Sequence, residues 1–162
     1  MKLSGRLYKI AELIGESPAV ADIGTDHGFI PVYLALNEPA RRIIASDISA
    51  GSLFAARKNA AKYSVEDKII FIVAPGLDGI DESEADTIVI AGVGGETIAA
   101  ILEKAPWTKR PGLRLILQPQ TKLDKLCLWL QENGYIISDA DYVIDKGRFY
   151  IILVAEGTIS NK

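Results

Sequence analysis

Apolar runs and helical patterns alternate along the whole chain, and this alternation predicts a largely parallel α/β sheet. The first two strands are predicted at about 19–24 and 42–47. Three further apolar runs follow as strands, at 68–74, 85–92 and 114–118. The run at 68–74 is apolar almost throughout, which is typical of a strand buried on both faces.

Helical patterns lie before the first strand and between the later ones. The helices are predicted at about 5–15, 27–37, 49–62, 95–103 and 121–134. Ser49 and Thr121 are the expected N-cap residues of the third and fifth helices, because a hydroxyl can accept a hydrogen bond from a free backbone N–H.

The end of the chain follows a different pattern. Two strand-like runs, 135–144 and 149–155, are joined by only Asp145–Arg148, which predicts a hairpin. Parallel strands need a longer crossover, so these two strands must be antiparallel. A largely parallel seven-stranded sheet with helices on both faces and a C-terminal antiparallel hairpin is the layout of the Rossmann-like class I methyltransferase fold. The predicted fold class is therefore α/β of this kind.

The loop after the first strand carries the most specific chemistry. It reads Gly24-Thr25-Asp26-His27-Gly28, where dinucleotide-binding proteins have Gly-x-Gly-x-x-Gly. Pyrophosphate recognition needs bare backbone N–H groups at a helix N-terminus, and Asp26 places a carboxylate there instead. S-adenosylmethionine carries a sulfonium cation and no phosphate, so the loop favours a methyl donor. Asp47, at the end of the second strand, is placed to accept hydrogen bonds from both ribose hydroxyls.

Ligands of open α/β sheets bind beyond the carboxyl ends of the strands, and glycines or polar residues occupy those ends here. The candidate cofactor-binding residues are Asp22, Gly24, Thr25, His27, Asp47, Ile48, Gly76, Leu77, Ala91, Gly92, Val93 and Gly94. Asp22 lies in a buried-looking strand, and we expect it to meet the cofactor's ammonium rather than a purely structural partner. His27 is expected to bind the methionyl carboxylate, to orient Asp26, or to bond within its own loop.

Composition narrows the class of protein. At 162 residues the chain is expected to form a single domain, residues 1–162. One cysteine, Cys127, excludes a disulfide framework or a cysteine-based metal site, and we expect it in or near the core. The sequence shows no signal peptide and no membrane-length apolar run, so a cytoplasmic protein is expected. A net charge of −3 argues against a highly basic nucleic-acid binder.

Five segments share their pattern with one family: Leu3–Leu7, Ala21–His27, Ile90–Gly95, Leu115–Pro119 and Val154–Gly157. With these segments the chain resembles the bacterial tRNA (adenine-22-N1) methyltransferases over residues 3–157. The resemblance implies methylation of N1 of an adenine in the D-arm region of tRNA. S-adenosylmethionine would be the methyl donor and S-adenosylhomocysteine the product, with no metal. We expect tRNA as the partner, no membrane association, and a monomer.

The chain departs from the family pattern in two places. The family often has Gly-Asp after the third strand, where the acid meets the cofactor's adenine amino group. This chain has Ala74-Pro75, with Asp78 nearby but not at the matching position, so reduced cofactor affinity is expected. The family also continues into a helical extension that helps to hold tRNA, whereas this sequence stops at Lys162, so weaker RNA binding is expected.

The proposed reaction sets its own requirements. Neutral adenine N1 has a lone pair and no proton, so no base is needed. The target base must be extruded and aligned, and the positive charge that develops on its ring must be stabilised. Asp26 is the first candidate to accept a hydrogen bond from the adenine N6 amino group, and Gln118 is the second, with Pro119 stiffening its loop. The alternatives are a loop-closing acid for Asp26 and a strand-end amide bonded to backbone groups for Gln118.

Other functions stay open on the sequence alone. A methyltransferase for a small molecule or another RNA site would show a closed pocket without a basic rim, and a non-catalytic Rossmann-like binding module would have lost cofactor binding. A nicotinamide-dependent oxidoreductase is disfavoured by the missing glycine motif. Arg6 is placed in sequence for a clamp on a carboxylate or phosphate, although an exposed position on the first helix is the favoured interpretation.

Overall fold

A computed structural model of the chain describes residues 1–38 and 41–158. The strands are β1 (Ala19–Ile23), β2 (Arg42–Asp47), β3 (Ile69–Val73), β4 (Thr87–Val93), β5 (Arg114–Pro119), β6 (Tyr135–Asp145) and β7 (Arg148–Gly157). The α-helices are α1 (Gly5–Ile14), α2 (Phe29–Asn37), α3 (Ala50–Lys62), α4 (Gly95–Glu103) and α5 (Leu123–Glu132), with short 3-10 helices at Glu66–Lys68 and Pro106–Lys109. The predicted domain, residues 1–162, also includes 39–40 and 159–162, which lie outside the described residues.

The strands form one seven-stranded sheet in the order β3-β2-β1-β4-β5-β7-β6. The first five strands in this order pair in parallel, so their carboxyl ends meet at one edge. β7 pairs antiparallel with both β5 and β6. The predicted fold class, with its C-terminal antiparallel hairpin, is confirmed.

Two apolar layers enclose the sheet, because alternate strand residues point to opposite faces. On one face α1, α2 and α3 contribute residues such as Ile10, Ile30 and Ala60. On the other face α4 and α5 contribute residues such as Ile98 and Leu126. Cys127 is partly buried and packs against this second layer, which agrees with the predicted position near the core.

The prediction that the third strand is buried on both faces is wrong. β3 lies at one edge of the sheet, where it pairs with β2. Ile70 is 44% exposed and Val73 is 57% exposed. An apolar run therefore marks this strand correctly, but the run does not reveal whether helices cover it.

The predicted helix ends are correct at α3 and wrong at two other helices. The Ser49 hydroxyl accepts the N–H of Ser52 at 3.1 Å and caps α3 as predicted. Thr121 does not cap α5, since the helix follows Lys122, whose backbone is left-handed. The second helix begins at Phe29 rather than at 27, because Asp26 and Gly28 both have positive φ angles (57° and 72°) that end the loop before the helix can start.

Gly28 is the point where this loop meets α3. Its φ of 72° favours glycine, and a Cβ at this position would lie 2.8 Å from the Cβ of Ala56. The start of α2 and the middle of α3 can approach this closely only because residue 28 has no side chain. The loop that lines the strand ends is therefore held by backbone packing as well as by hydrogen bonds.

Gly28→Ala should destabilise the fold for two reasons. A left-handed alanine costs about 1–2 kcal/mol, and overpacking against Ala56 should add about 1–3 kcal/mol. Gly147→Ala is the matched control, because Gly147 has a φ of 78° and would place its Cβ in open space. Urea unfolding of both variants should show the larger loss for Gly28→Ala, and equal losses would contradict the packing role.

Candidate active site

A cavity of about 590 Å³ opens at the carboxyl ends of β1, β2 and β4, a size suited to a small-molecule ligand. Eleven of the residues predicted from the sequence line it: Asp22, Gly24, Thr25, Asp26, His27, Asp47, Ile48, Gly76, Ala91, Gly92 and Val93. Four others lie outside its lining in the described structure: Leu77, Gly94, Gln118 and Pro119. The strand ends thus converge as the topology requires.

The backbone of the loop after β1 is turned towards β2. The N–H groups of Gly24 and Thr25 both donate to the carbonyl oxygen of Ser46, at 2.8 and 3.0 Å. The N–H of Asp26 donates to Oδ2 of Asp47 at 2.9 Å. These three groups are already bonded within the protein, so they do not form the cradle of free N–H donors that a pyrophosphate needs.

Asp47 is fixed from both sides at the end of β2. Its Oδ1 atom accepts the N–H of Ser49 at 2.9 Å, while its Oδ2 atom accepts the N–H of Asp26. The residue is 9% exposed. An ionised carboxylate has about four lone-pair sites, so both oxygens keep capacity for donors from a ligand. A ligand with two hydroxyls on adjacent carbons could donate one hydrogen bond to each oxygen of Asp47.

Asp22 lies deeper, at 5% exposure, on the face of β1 that is turned towards α1. Burial raises the pKa of its carboxyl to about 7, and the nearby carboxylate of Asp47 adds to the rise. The Thr25 hydroxyl donates to Oδ2 of Asp22 at 2.8 Å and, with Arg6, opposes this shift. A cation entering the cavity would stabilise the ionised form of Asp22.

Asp26 and His27 stand at the mouth of the cavity rather than in its depth. Their side chains are 69% and 57% exposed, and Oδ2 of Asp26 lies 3.9 Å from Nε2 of His27. The His27 ring also packs beside Phe29, with 5.6 Å between the ring centroids. Asp26 is therefore accessible to a group that reaches the cavity from solvent.

For Arg6 the sequence named a clamp on a carboxylate or phosphate but favoured an exposed position, whereas the structure places the residue in the lining of the cavity. Its Nη1 atom donates to Oε1 of Gln118 at 2.8 Å, and its guanidinium lies over the Tyr150 ring, 5.5 Å from the centroid. In the sequence, Arg6 lies in the first turn of the helix before β1 and within the segment Leu3–Leu7 that resembles the family. Tertiary packing determines the strand ends over which this helix lies.

Gln118 is fully buried and both ends of its amide are bonded. Besides the Arg6 guanidinium, its Oε1 atom accepts the N–H of Gly92 at 3.1 Å. Its Nε2 atom donates to the Pro119 carbonyl and to Oε1 of Gln120. This geometry favours the alternative named for Gln118, a strand-end amide, and it makes Gln118 the residue that positions Arg6.

The cavity also has an apolar end. Ile48, which follows Asp47, is 71% exposed, and Ala74, Gly76 and Ile101 line the same cavity. A flat aromatic ring would cover this surface. Asp78 lines a neighbouring cavity of about 310 Å³ instead, so it does not replace the acid that the family has after the third strand.

Charge identifies the kind of ligand that the cavity suits. The carboxylates of Asp22, Asp26 and Asp47 outnumber the guanidinium of Arg6, and a cavity lined in this way favours a cation. Within the described residues, no group of three or more His, Cys, Asp or Glu side chains is arranged to hold a metal ion. None of the described helices is long and apolar enough to span a membrane.

Comparison with known proteins agrees with this geometry. Residues 3–153 match the family described as a methyltransferase domain. The tRNA (adenine(22)-N(1))-methyltransferase of Bacillus subtilis is 38% identical over 96% of this chain, which spans 66% of that relative's length. The crystal structure of the B. subtilis m1A22 tRNA methyltransferase TrmK has a TM-score of 0.86, with 38% identity, and the match covers 96% of this chain and 67% of that one. M. capricolum TrmK in complex with S-adenosylhomocysteine has 30% identity and a TM-score of 0.84, over 97% of this chain and 70% of that one.

The fold and the site thus define a methyltransferase-domain protein, since the matched family covers nearly the whole chain. The family resemblance found in the sequence is also confirmed. The chain belongs to the TrmK family of tRNA (adenine-22-N1) methyltransferases.

Asp22→Asn should change how stability depends on pH. Asp22 has a pKa of about 7 when folded and an ordinary value of 3.8. Between these values the folded state binds the extra proton, so the free energy of unfolding should fall as pH rises from about 4 to about 7. The asparagine side chain of the variant does not titrate, so this part of the fall should disappear.

Chemical unfolding between pH 4.5 and 8 measures the effect, with the exposed Asp139→Asn as the control. The control should keep the decline of the wild type. If Asp22→Asn kept the same decline, Asp22 would not be the buried acid responsible.

Proposed function

We propose that this chain transfers the methyl group of S-adenosylmethionine to N1 of an adenine in tRNA, working as a monomer in the cytoplasm. The observation that carries the proposal is the cavity at the strand ends, where three carboxylates line the wall and the loop N–H groups are turned away from any phosphate. Family membership supplies the class of substrate.

The residues of the cavity fit each part of this methyl donor. Asp47 would accept both ribose hydroxyls, and the apolar surface beside Ile48 would cover the adenine ring. Asp22 would pair with the ammonium, and Arg6 would pair with the carboxylate of the methionyl group. When bound, S-adenosylmethionine supplies an activated methyl group on a sulfonium centre.

The remaining cofactor-binding residues predicted from the sequence would form the walls around the ligand. Gly24, Thr25 and His27 would border the methionyl end, and Gly76 and Leu77 would border or support the adenine end. Ala91, Gly92 and Val93 end β4 and Gly94 follows it, and small residues at this strand end let a second ligand approach the backbone closely. We place the target base beside this segment, because Ala91, Gly92 and Val93 line the cavity and a Cβ at Gly92 would lie 3.8 Å from Nη1 of Arg6.

Asp26 is our candidate catalytic residue. It is exposed at the mouth of the cavity, where its carboxylate would accept a hydrogen bond from the N6 amino group of the target adenine. Methylation at N1 places positive charge on the ring and makes that amino group a stronger donor, so the hydrogen bond would strengthen as the reaction proceeds. Gln118 is the weaker candidate, because its amide is buried and already bonded at both ends, with Pro119 completing the strand behind it.

Asp26→Asn tests both the reaction and the role of this residue. The purified wild type should form N1-methyladenosine in unmodified tRNA, and a tRNA with guanine in place of the target adenine should not react. The variant should lower kcat by about 10²–10³-fold, the range seen when one charge-stabilising group is lost. Asparagine tolerates the left-handed backbone at position 26, so the fold and the affinity for S-adenosylmethionine should be retained.

The exposed Asp67→Asn serves as the control and should retain full activity. Full activity of Asp26→Asn would remove the catalytic role of Asp26 while leaving the function intact. Binding of S-adenosylmethionine without any methylation of tRNA by the wild type would overturn the proposed substrate.

A further inference from the structure

The β6–β7 hairpin projects beyond the edge of the sheet at which the cavity opens. Leu117 of β5 pairs with Leu153 of β7, so Pro119 at the end of β5 is level with Ile151. Arg148, the first residue of β7, is three residues farther along, which places it roughly 10 Å past the end of β5. The tip of the hairpin therefore stands on the same side of the molecule as the ligand cavity.

The two faces of this hairpin differ in their partners. Asp141, Val143 and Asp145 face α1: Oδ2 of Asp141 lies 3.5 Å from Nζ of Lys9, and Oδ2 of Asp145 accepts the N–H of Arg6 at 2.9 Å. The opposite face carries Tyr142, Ile144 and Phe149, which we name the hairpin aromatic face. These three side chains are 61%, 66% and 59% exposed.

The hairpin aromatic face is organised around one aromatic pair. The Tyr142 and Phe149 rings have centroids 5.4 Å apart, and Ile144 lies directly across the ladder from Phe149. Alternation along β6 turns its carboxylates to the α1 side, so no acidic side chain belongs to this face at the tip. An exposed aromatic surface that is free of negative charge is suited to a partner with flat rings.

The turn between the strands adds positive charge. Lys146 and Gly147 form the two-residue turn, both with positive φ, and Arg148 follows at once. Both basic side chains are exposed. Aromatic rings on which bases stack, together with cations that meet phosphates, form the surface by which proteins hold unpaired nucleic acid.

The hairpin also contacts the cavity wall, through the face that is turned towards α1. Tyr150, next to Phe149, carries the guanidinium of Arg6 over its ring, and Arg6 lines the cavity. An adenine that enters the cavity has to leave its stack, so each neighbouring base loses a stacking partner close to this wall. Gly157, the last residue of β7, pairs with Tyr135 at the end of the β6–β7 ladder that is farthest from the hairpin tip.

We propose that the hairpin aromatic face stacks on a base of tRNA next to the target adenine, and that Lys146 and Arg148 contact the adjoining phosphates. The proposal rests on the proposed function, since it names the surface by which the same site receives its substrate. It makes the hairpin aromatic face a surface for the substrate, while Tyr150 and Asp145 on the α1 side of the hairpin support Arg6.

The double variant Tyr142→Ala/Phe149→Ala tests the stacking surface. Its affinity for unmodified tRNA, measured by fluorescence titration, should fall by about 5- to 100-fold, the range for loss of base–aromatic stacking. Its calorimetric affinity for S-adenosylmethionine should not change. Ile136→Ala is the matched control, because Ile136 is 53% exposed on the same strand at the far end of the ladder, and it should bind tRNA as the wild type does.

The double variant Lys146→Ala/Arg148→Ala tests the phosphate contacts. The affinity for tRNA falls as salt concentration rises, and the variant should make this fall shallower. The magnitude of the slope of log affinity against log salt concentration should drop by about 2, one for each lost phosphate contact. An unchanged slope would overturn that part of the proposal.

The outcomes separate this proposal from the proposed function. If the wild type methylates tRNA and Tyr142→Ala/Phe149→Ala binds tRNA equally well, the hairpin proposal is overturned and the function stands. If the wild type sediments as a dimer and the aromatic variant as a monomer with unchanged tRNA affinity, the face joins two copies of the chain instead. If the wild type binds S-adenosylmethionine but neither binds nor methylates tRNA, the proposed function itself fails.

Discussion

The carboxylate of Asp47 holds together the two loops on which the site depends. One oxygen accepts the N–H of Asp26 in the loop after β1, and the other accepts the N–H of Ser49 in front of α3. The carbonyl of Ser46 binds two further N–H groups of the first loop. Because the loop backbone is bonded to β2, its donors face away from the ligand, and the cavity presents carboxylates instead.

This arrangement explains how a Rossmann-like sheet can serve a methyl donor rather than a dinucleotide. A pyrophosphate needs free backbone donors at the loop and a helix N-terminus nearby. Here the helix after the loop begins only at Phe29, and the residues before it place Asp26 and His27 at the mouth of the cavity. The same loop that excludes phosphate therefore supplies the acid that we place beside the target base.

A second junction joins the N-terminal helix to the sheet. The amide of Gln118 binds the guanidinium of Arg6 and the N–H of Gly92 through one oxygen, and it is fully buried. Tyr150 supports the same guanidinium from β7. Side chains of β5 and β7 and the Asp145 carboxylate of β6 thus meet at Arg6, which connects the cavity to the projecting hairpin.

Much of the fold and most of the cavity lining follow from patterns that are local in sequence. The strands, the hairpin and residues such as Asp22 and Asp47 could be located because apolar periodicity and strand ends fix them. For Arg6 the sequence favoured an exposed position over a clamp, because its place depends on how α1 crosses the sheet and on the buried amide of a residue 112 positions later. The exposure of β3 escaped prediction for the same reason, because an edge position is a property of strand order and not of the strand.

The central claim is that this cavity accepts a cationic methyl donor and rejects a dinucleotide. Calorimetric titration of the purified chain with S-adenosylmethionine, with NAD in a parallel experiment, tests it most directly. We expect one-to-one binding of S-adenosylmethionine with micromolar affinity and no heat from NAD. Binding of NAD, or no heat from S-adenosylmethionine, would contradict the account.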